Sequence, residues 1–148
     1  MTHKPRVFLD TSAIFAGIWS AAGGGRMILK LGEASALQPS TASIVLEELE
    51  RVLREKAPEQ LGTLAILLDR ARFEIVPSQT ETSLKKALDL VGHVGDAHVL
   101  SAALSVELDY FVTLDKKHFI RNKKLHKAAT FPIGTPGDFL EWFRGELV

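Results

Sequence analysis

Short apolar runs alternate along the chain with longer stretches in which apolar residues recur at helical spacing. The short runs predict buried strands, and the periodic stretches predict helices. Strands are predicted over residues 6–10, 36–39, 73–76, 110–113 and 129–133. Because proline cannot donate a hydrogen bond to a neighbouring strand, Pro39 weakens the second assignment, and Pro132 fits only an edge position in the last.

The periodic stretches place helices between most of these strands. They cover residues 26–33, 43–55, 80–91, 96–108 and 135–143, and a further helix starts at Pro58. Thr135 and Asp138 have the spacing of a helix N-terminal cap. Gly23–Gly25 indicates a loop, and Gly92–Gly95 indicates a turn. This alternation predicts an α/β fold in three layers, with a parallel sheet between two layers of helices.

Composition narrows the class of protein. The chain has 148 residues, no cysteine, and 18 basic and 18 acidic side chains. This length fits one domain, expected over residues 1–148. Without cysteine there is neither a disulfide nor a thiolate metal site. The apolar run before Asp10 is too short for a signal peptide, and none approaches the ~20 residues of a membrane span. A cytoplasmic protein without membrane contact is therefore expected.

Acidic residues recur at the carboxyl ends of the predicted strands. Asp10 follows the first strand, Asp115 follows the strand at 110–113, and Asp96 opens a helix. Glu47 and Glu48 lie early in the helix after the second strand. In parallel α/β sheets, sites form at this edge. Carboxylates gathered there would repel one another without a cation, and Mg²⁺ or Mn²⁺ accept such oxygen ligands. Such an ion can activate water and stabilise charge on a phosphodiester.

Each acid also has an ordinary structural interpretation. Asp10 and Asp115 could begin turns, and Asp96 could cap its helix. Glu47 and Glu48 could belong to a solvated helix face. Their shared position at one edge of the sheet favours a common site. Residues 115–127 carry six Lys or Arg and two His, which by default is a solvated surface segment.

Five segments together resemble the PIN-domain family of nucleases. They occur in the family's order and span nearly the whole chain. The segments are residues 7–12, 43–53, 95–103, 109–115 and 135–140.

The resemblance implies a parallel sheet of four or five strands and an acidic cluster that binds Mg²⁺ or Mn²⁺. It implies cleavage of RNA, and many small stand-alone members resemble the toxins of bacterial toxin–antitoxin pairs. A homodimer and an antitoxin partner are therefore expected. By position, the four acids of the family match Asp10, Glu48, Asp96 and Asp115, with Glu47 as a possible substitute for Glu48.

The resemblance also assigns supporting roles. Ser12 and Thr113 match small hydroxyl residues that support the acids. Contacts to RNA phosphates are expected from basic residues after the last acid, namely Lys116, Lys117, Arg121, Lys123 and Lys124. His98 is interpreted as a structural or surface residue rather than a general acid or base. Further acids found in many members are absent here, where His93, Gly95 and Lys117 stand, so one bound ion is expected rather than two.

Two rival functions remain open at this level. One is an aspartate-nucleophile phosphotransferase resembling the haloacid-dehalogenase family, which would need an acid where Ser12 stands. The other is a PIN-like module that binds RNA or protein without cleaving. The presence of all four matched acids argues against the second rival.

Overall fold

A single five-stranded parallel sheet forms the centre of the structure, a computed structural model that describes residues 3–147. The strands are β1 (Arg6–Leu9), β2 (Gln38–Ala42), β3 (Glu74–Val76), β4 (Tyr110–Val112) and β5 (Ile133–Gly134). They lie side by side in the order β3-β2-β1-β4-β5. The predicted α/β class with a parallel sheet is confirmed.

Eight α-helices flank the sheet in the described part of the chain. They are α1 (Thr11–Trp19), α2 (Gly24–Glu33), α3 (Ser43–Lys56), α4 (Leu61–Ala71), α5 (Glu81–Val91), α6 (Val94–Leu104), α7 (Lys123–Ala128) and α8 (Pro136–Glu146). Helix α2 packs against α1, α4 and α8, whereas α5 packs against α6 and α7. Among residues 3–147, none of these helices is both long and apolar enough to cross a membrane.

The order of the strands reverses between β1 and β4, the two central neighbours of the sheet. The register pairs Leu9 with Val112, so the next residues along, Asp10 and Thr113, come to lie opposite each other. A reversal of strand order at the carboxyl edge leaves a crevice there, and such crevices commonly hold ligands. The topology thus brings the end of β1 and the end of β4 to one crevice.

Strand β2 lies inside the sheet although it contains Pro39, contrary to the expectation from the sequence. The amide of Gln38 donates to Pro5 on the β1 side, so the nitrogen of Pro39 faces the β3 side. Pairing with β3 begins only at Ser40, opposite Glu74. The missing donor therefore lies just before the paired region, and no hydrogen bond between strands is lost.

Helix α1 was not predicted, and α2 begins earlier than predicted. Gly24 and Gly25, interpreted as loop, lie within α2. A Cβ atom at Gly25 would come within 2.9 Å of the backbone nitrogen of Gly17. The glycines therefore serve close packing of α1 against α2 rather than a turn. This packing fixes α1, whose first residue follows Asp10.

A row of stacked aromatic rings fixes the segment after β4. Phe111 of β4 stacks on Phe8 of β1 at a centroid distance of 5.2 Å and on Phe119 at 5.0 Å. Phe119 belongs to a single π-helical turn, Lys116–Ile120, and is 1% exposed. Such turns are rare and often occur at functional sites. Burial of Phe119 holds the preceding residues against the carboxyl edge of β4.

Candidate active site

Asp10 is a buried carboxylate at the end of β1, with 6% of its surface exposed. One carboxylate oxygen accepts hydrogen bonds from the Ser12 hydroxyl at 2.7 Å and from the Ala13 amide at 3.0 Å. The other oxygen accepts from the Thr113 hydroxyl at 2.5 Å. Asp10 also has a structural role, because it is the N-cap of α1 rather than the start of a turn. A carboxylate oxygen has two lone pairs, so the second oxygen keeps one for a further ligand.

The two hydroxyl residues connect β1 to the loop after β4. Thr113 donates to Asp10 and accepts from the amide of Asp115 at 3.0 Å. Ser12 donates to Asp10 and accepts from the amide of Leu114 at 3.0 Å. Each hydroxyl therefore both orients the buried acid and fixes the backbone that leads to Asp115.

Asp96 lies in the first turn of α6 and is not its N-cap, so the cap interpretation is wrong. The cap is His93, whose Nδ1 accepts from the Asp96 amide at 3.4 Å. The helix starts two residues earlier than predicted, at Val94. The Asp96 carboxylate is therefore free of the capping role and is available to the crevice.

Asp115 is the N-cap of the π-helical turn and accepts from the His118 amide at 2.9 Å. Nδ1 of His118 lies 3.0 Å from Oδ2 of Asp115 and 3.3 Å from Oδ2 of Asp96. The imidazole thus lies between two carboxylates that are 19 residues apart in the chain. Ligand atoms of these three residues all lie within 4.8 Å of one another.

One cavity of about 340 Å³ at the carboxyl edge is lined by all four predicted acids, Asp10, Glu48, Asp96 and Asp115. Both Glu47 and Glu48 are exposed on α3, but only Glu48 is among the lining residues. The geometry therefore favours Glu48 over Glu47 as the acid that α3 presents to the cavity.

The remaining candidate residues lie around this cavity rather than in it. Lys116 and Lys117 begin the π-helical turn directly after Asp115, and both are exposed. The other three basic candidates, which are also exposed, follow at the end of that turn and on α7: Arg121, Lys123 and Lys124. His98 lies away from this cavity and lines a separate groove between α5 and α6.

Burial and mutual repulsion make this cluster electrostatically unfavourable by itself. Burial raises the pKa of Asp10 above its ordinary value, and the charge of Asp115 adds to this, while hydrogen bonds from Thr113, Ser12 and Ala13 oppose it. Partial burial likewise raises the pKa of Asp96, and His118 opposes that shift. Across residues 3–147, no Lys or Arg side chain forms an ion pair with these acids. The site therefore lacks a permanent positive partner of the ordinary kind.

His118 was missed as a site residue, because the sequence predicted a centre built from carboxylates alone. It was counted within a basic surface stretch, yet only 29% of its side chain is exposed, and its Nδ1 lies within 3.3 Å of both Asp96 and Asp115. The available signal was its position three residues after Asp115, on a segment that follows a buried strand.

The donor set fits a divalent cation. Asp96, Asp115 and His118 bring ligand atoms within 4.8 Å of one another, and Asp10 and Glu48 line the same cavity as the two aspartates. Hard ions such as Mg²⁺ and Mn²⁺ take oxygen ligands of this kind, and imidazole is a common ligand of transition metals. An ion would also offset the cost of burying Asp10 and Asp96, which raises the pKa of both carboxyl groups.

Comparison with known families identifies the class. A family model of the PIN domain matches residues 6–117, which is more than half of the chain and includes all four acids. The chain belongs to the PIN-domain family, whose members are generally nucleases. A comparison with curated individual proteins gives no match.

The fold has a solved counterpart. It is similar to a chain in the crystal structure of VapBC2 from Rickettsia felis bound to a DNA fragment from their promoter, with a TM-score of 0.65. The match covers 87% of this chain and 98% of the other, at 22% sequence identity. At this level of identity the likeness establishes the shared fold and leaves function to be argued from the site.

Proposed function

We propose that the protein is a divalent-metal-dependent endoribonuclease that hydrolyses RNA phosphodiester bonds. The observation that carries this proposal is the convergence of carboxylates from three distant segments on one cavity, with no Lys or Arg ion pair to them among residues 3–147. Membership of a generally nucleolytic family supports the same reaction class.

Asp10, Asp96 and Asp115 would hold the ion, Mg²⁺ or Mn²⁺, with Glu48 reaching it directly or through water. When bound, such an ion activates water and stabilises the negative charge that develops on the phosphodiester. Asp10 offers its one uncommitted lone pair in a direction fixed by Thr113 and Ser12. Hydrolysis forms a bond from water oxygen to phosphorus and breaks the bond to the leaving oxygen, so no side chain need act as nucleophile.

The exposed basic residues beside the cavity would contact RNA phosphates. Lys116 and Lys117 follow Asp115 directly, and Arg121, Lys123 and Lys124 extend the positive surface onto α7. Contacts of this kind position the substrate without reading its sequence. Their contribution to affinity should weaken as salt rises.

We further propose that this nuclease is the toxin of a toxin–antitoxin pair and acts in the cytoplasm as a homodimer. The support is the sequence resemblance to small stand-alone PIN-domain toxins and the likeness in fold to a chain of the VapBC2 structure. Light scattering of the purified protein tests the homodimer, and co-purification with the product of an adjacent gene tests the antitoxin partner.

The direct test is cleavage of labelled single-stranded RNA with Mn²⁺ or with EDTA. Wild type should cleave only with the metal, and Asp10→Asn should lose at least about 100-fold in rate, since even outer partners of metal ligands are worth 10–100-fold. Asp109→Asn, at the opposite edge of the sheet, is the matched control and should cleave normally. Cleavage that persists in EDTA, or full activity in Asp10→Asn, would refute the proposal. Metal binding without cleavage would favour a binding module.

A further inference from the structure

We propose that His118 is a metal ligand, binding the ion through Nδ1 together with Asp96 and Asp115, and that it makes the site favour Mn²⁺ over Mg²⁺. This inference deepens the proposed function and rests on it. The residue lies outside the four acids matched to the family, and its role comes from its placement in this chain alone.

The distances between donor atoms fit a shared ion. At metal–ligand distances near 2.1 Å, adjacent ligand atoms lie about 3.0 Å apart in an octahedral site and about 3.4 Å apart in a tetrahedral one. Nδ1 of His118 lies 3.0 Å from Asp115 Oδ2 and 3.3 Å from Asp96 Oδ2. Both distances therefore already match the spacing of ligand atoms around one ion. The ligand atoms of Asp96 and Asp115 also lie within 4.8 Å of each other.

A hydrogen bond alone explains these contacts less completely. Nδ1 carries at most one proton, which can point at one of the two carboxylates. The other carboxylate would then face the same nitrogen without a proton between them. An ion bound by all three atoms satisfies both contacts at once.

His93 provides an internal contrast. Its Nδ1 lies at the same 3.3 Å from Asp96 Oδ2, but the same nitrogen already accepts from the Asp96 amide as the cap of α6. That lone pair is therefore engaged. Among the described hydrogen bonds, Nδ1 of His118 contacts only carboxylate oxygens and accepts from no donor, so an ion can take the place of the proton that it otherwise donates.

The backbone presents the His118 ring rigidly. Its amide donates to Asp115, and the next residue, Phe119, is locked into the aromatic stack beneath the sheet edge. A ligand held in place in this way loses little conformational freedom on binding the ion.

An imidazole ligand changes which ion the site prefers. Mg²⁺ demands oxygen ligands and retains its waters, whereas imidazole suits transition metals. Loss of the nitrogen should therefore weaken Mn²⁺ binding by at least about tenfold and leave Mg²⁺ binding nearly unchanged.

The test is pulsed electron paramagnetic resonance of the Mn²⁺-loaded protein, with affinities from calorimetry. Wild type should show nitrogen coupling to the ion. His118→Ala and His118→Gln should lose that coupling and bind Mn²⁺ at least tenfold more weakly. His98→Ala, on the same helix as Asp96 but in a separate groove, and His93→Ala should both retain the coupling.

Two results would contradict the inference in distinguishable ways. Mn²⁺ that binds through Asp96 but shows no nitrogen coupling would remove His118 from the ligand set and leave the proposed nuclease intact. Absence of any Mn²⁺ binding that depends on Asp96 would overturn the proposed function as well. Circular dichroism of each variant shows that it has folded.

Discussion

Both edges of the sheet carry acidic side chains, but the charged partners of these acids differ between the two edges. At the amino edge, a cavity of about 750 Å³ contains Arg6, Glu74 and Asp109. Arg6 pairs with Glu74 at 3.0 Å, and its amide donates to Asp109 at 2.8 Å. At the carboxyl edge, the smaller cavity of about 340 Å³ holds acids with no Lys or Arg partner in residues 3–147.

We infer from this contrast that the balance of charge, rather than the size of the cavity, marks the proposed site. Paired charges at the amino edge satisfy one another and need no ligand. The carboxylates at the carboxyl edge have no Lys or Arg partner among residues 3–147, and His118 contacts only Asp96 and Asp115. Their mutual repulsion is tolerated when a cation joins them. The larger cavity is therefore better explained as a structural surface that ties β1 to its neighbours.

The largest expected difference between the two edges is in how bound metal changes the melting temperature of the protein. An ion at 100 times its dissociation constant should stabilise the protein by about 2.7 kcal/mol, or about 5–10 °C in melting temperature for a domain of this size. Differential scanning fluorimetry with Mn²⁺ should show this shift in wild type and in Glu74→Gln, but not in Asp96→Asn. An equal shift in all three proteins would place the ion elsewhere.

Next in size is the effect of the buried hydroxyl that links two of the acids. Thr113→Val removes the donor to Asp10 and the acceptor for the Asp115 amide. RNA cleavage should fall by about 10–100-fold, and the free energy of unfolding by about 1–3 kcal/mol. The matched control, Thr130→Val at the exposed amino edge, should change neither quantity. Normal cleavage by Thr113→Val would show that Asp10 needs no such support.

The raised pKa of Asp10 predicts how the stability of the metal-free protein changes with pH. Burial raises the pKa of Asp10 above 3.8 in the folded protein. The contribution of protonated Asp10 to the free energy of unfolding is complete below pH 3.8. It is lost as the pH rises through the higher pKa that Asp10 has in the folded protein. Asn resembles the protonated acid, so in EDTA Asp10→Asn should unfold at higher urea than wild type at pH 7. The difference should shrink on acidification, and a constant difference would contradict this explanation.

The smallest effect belongs to the amino edge. Glu74→Gln removes a salt bridge whose side chains are about one-third exposed, at 33% and 36%. Exposed pairs contribute little, so the free energy of unfolding should drop by about 0.5 kcal/mol with RNA cleavage unchanged. A larger loss of activity than of stability would show that the two edges are coupled.

Much of this site could be predicted from the order of strands and acids alone. β1 and β4 are short apolar runs, and each is followed within a few residues by an acid. Because parallel strands end at one edge, Asp10 and Asp115 could be placed together without coordinates. The structure places both residues on the lining of one cavity.

Features that depend on packing could not be predicted in this way. Helix α1 is apolar on most positions after Ser12, so it shows no polar face by which periodicity could detect it. The glycines that begin α2 resemble a loop until their close approach to α1 is known. His118 lies in a basic stretch, and only the burial of Phe119 turns it toward the acids.

The central claim is that Asp10, Asp96 and Asp115 bind one divalent ion at the carboxyl edge. Anomalous diffraction at the manganese edge, from crystals grown with Mn²⁺, tests it directly. A single strong peak within ligand distance of Asp96 and Asp115 and beside Oδ2 of Asp10, the oxygen with one uncommitted lone pair, is the expected result. A protein saturated with Mn²⁺ whose peak lies at the amino edge, or that shows no peak between these acids, would contradict the claim.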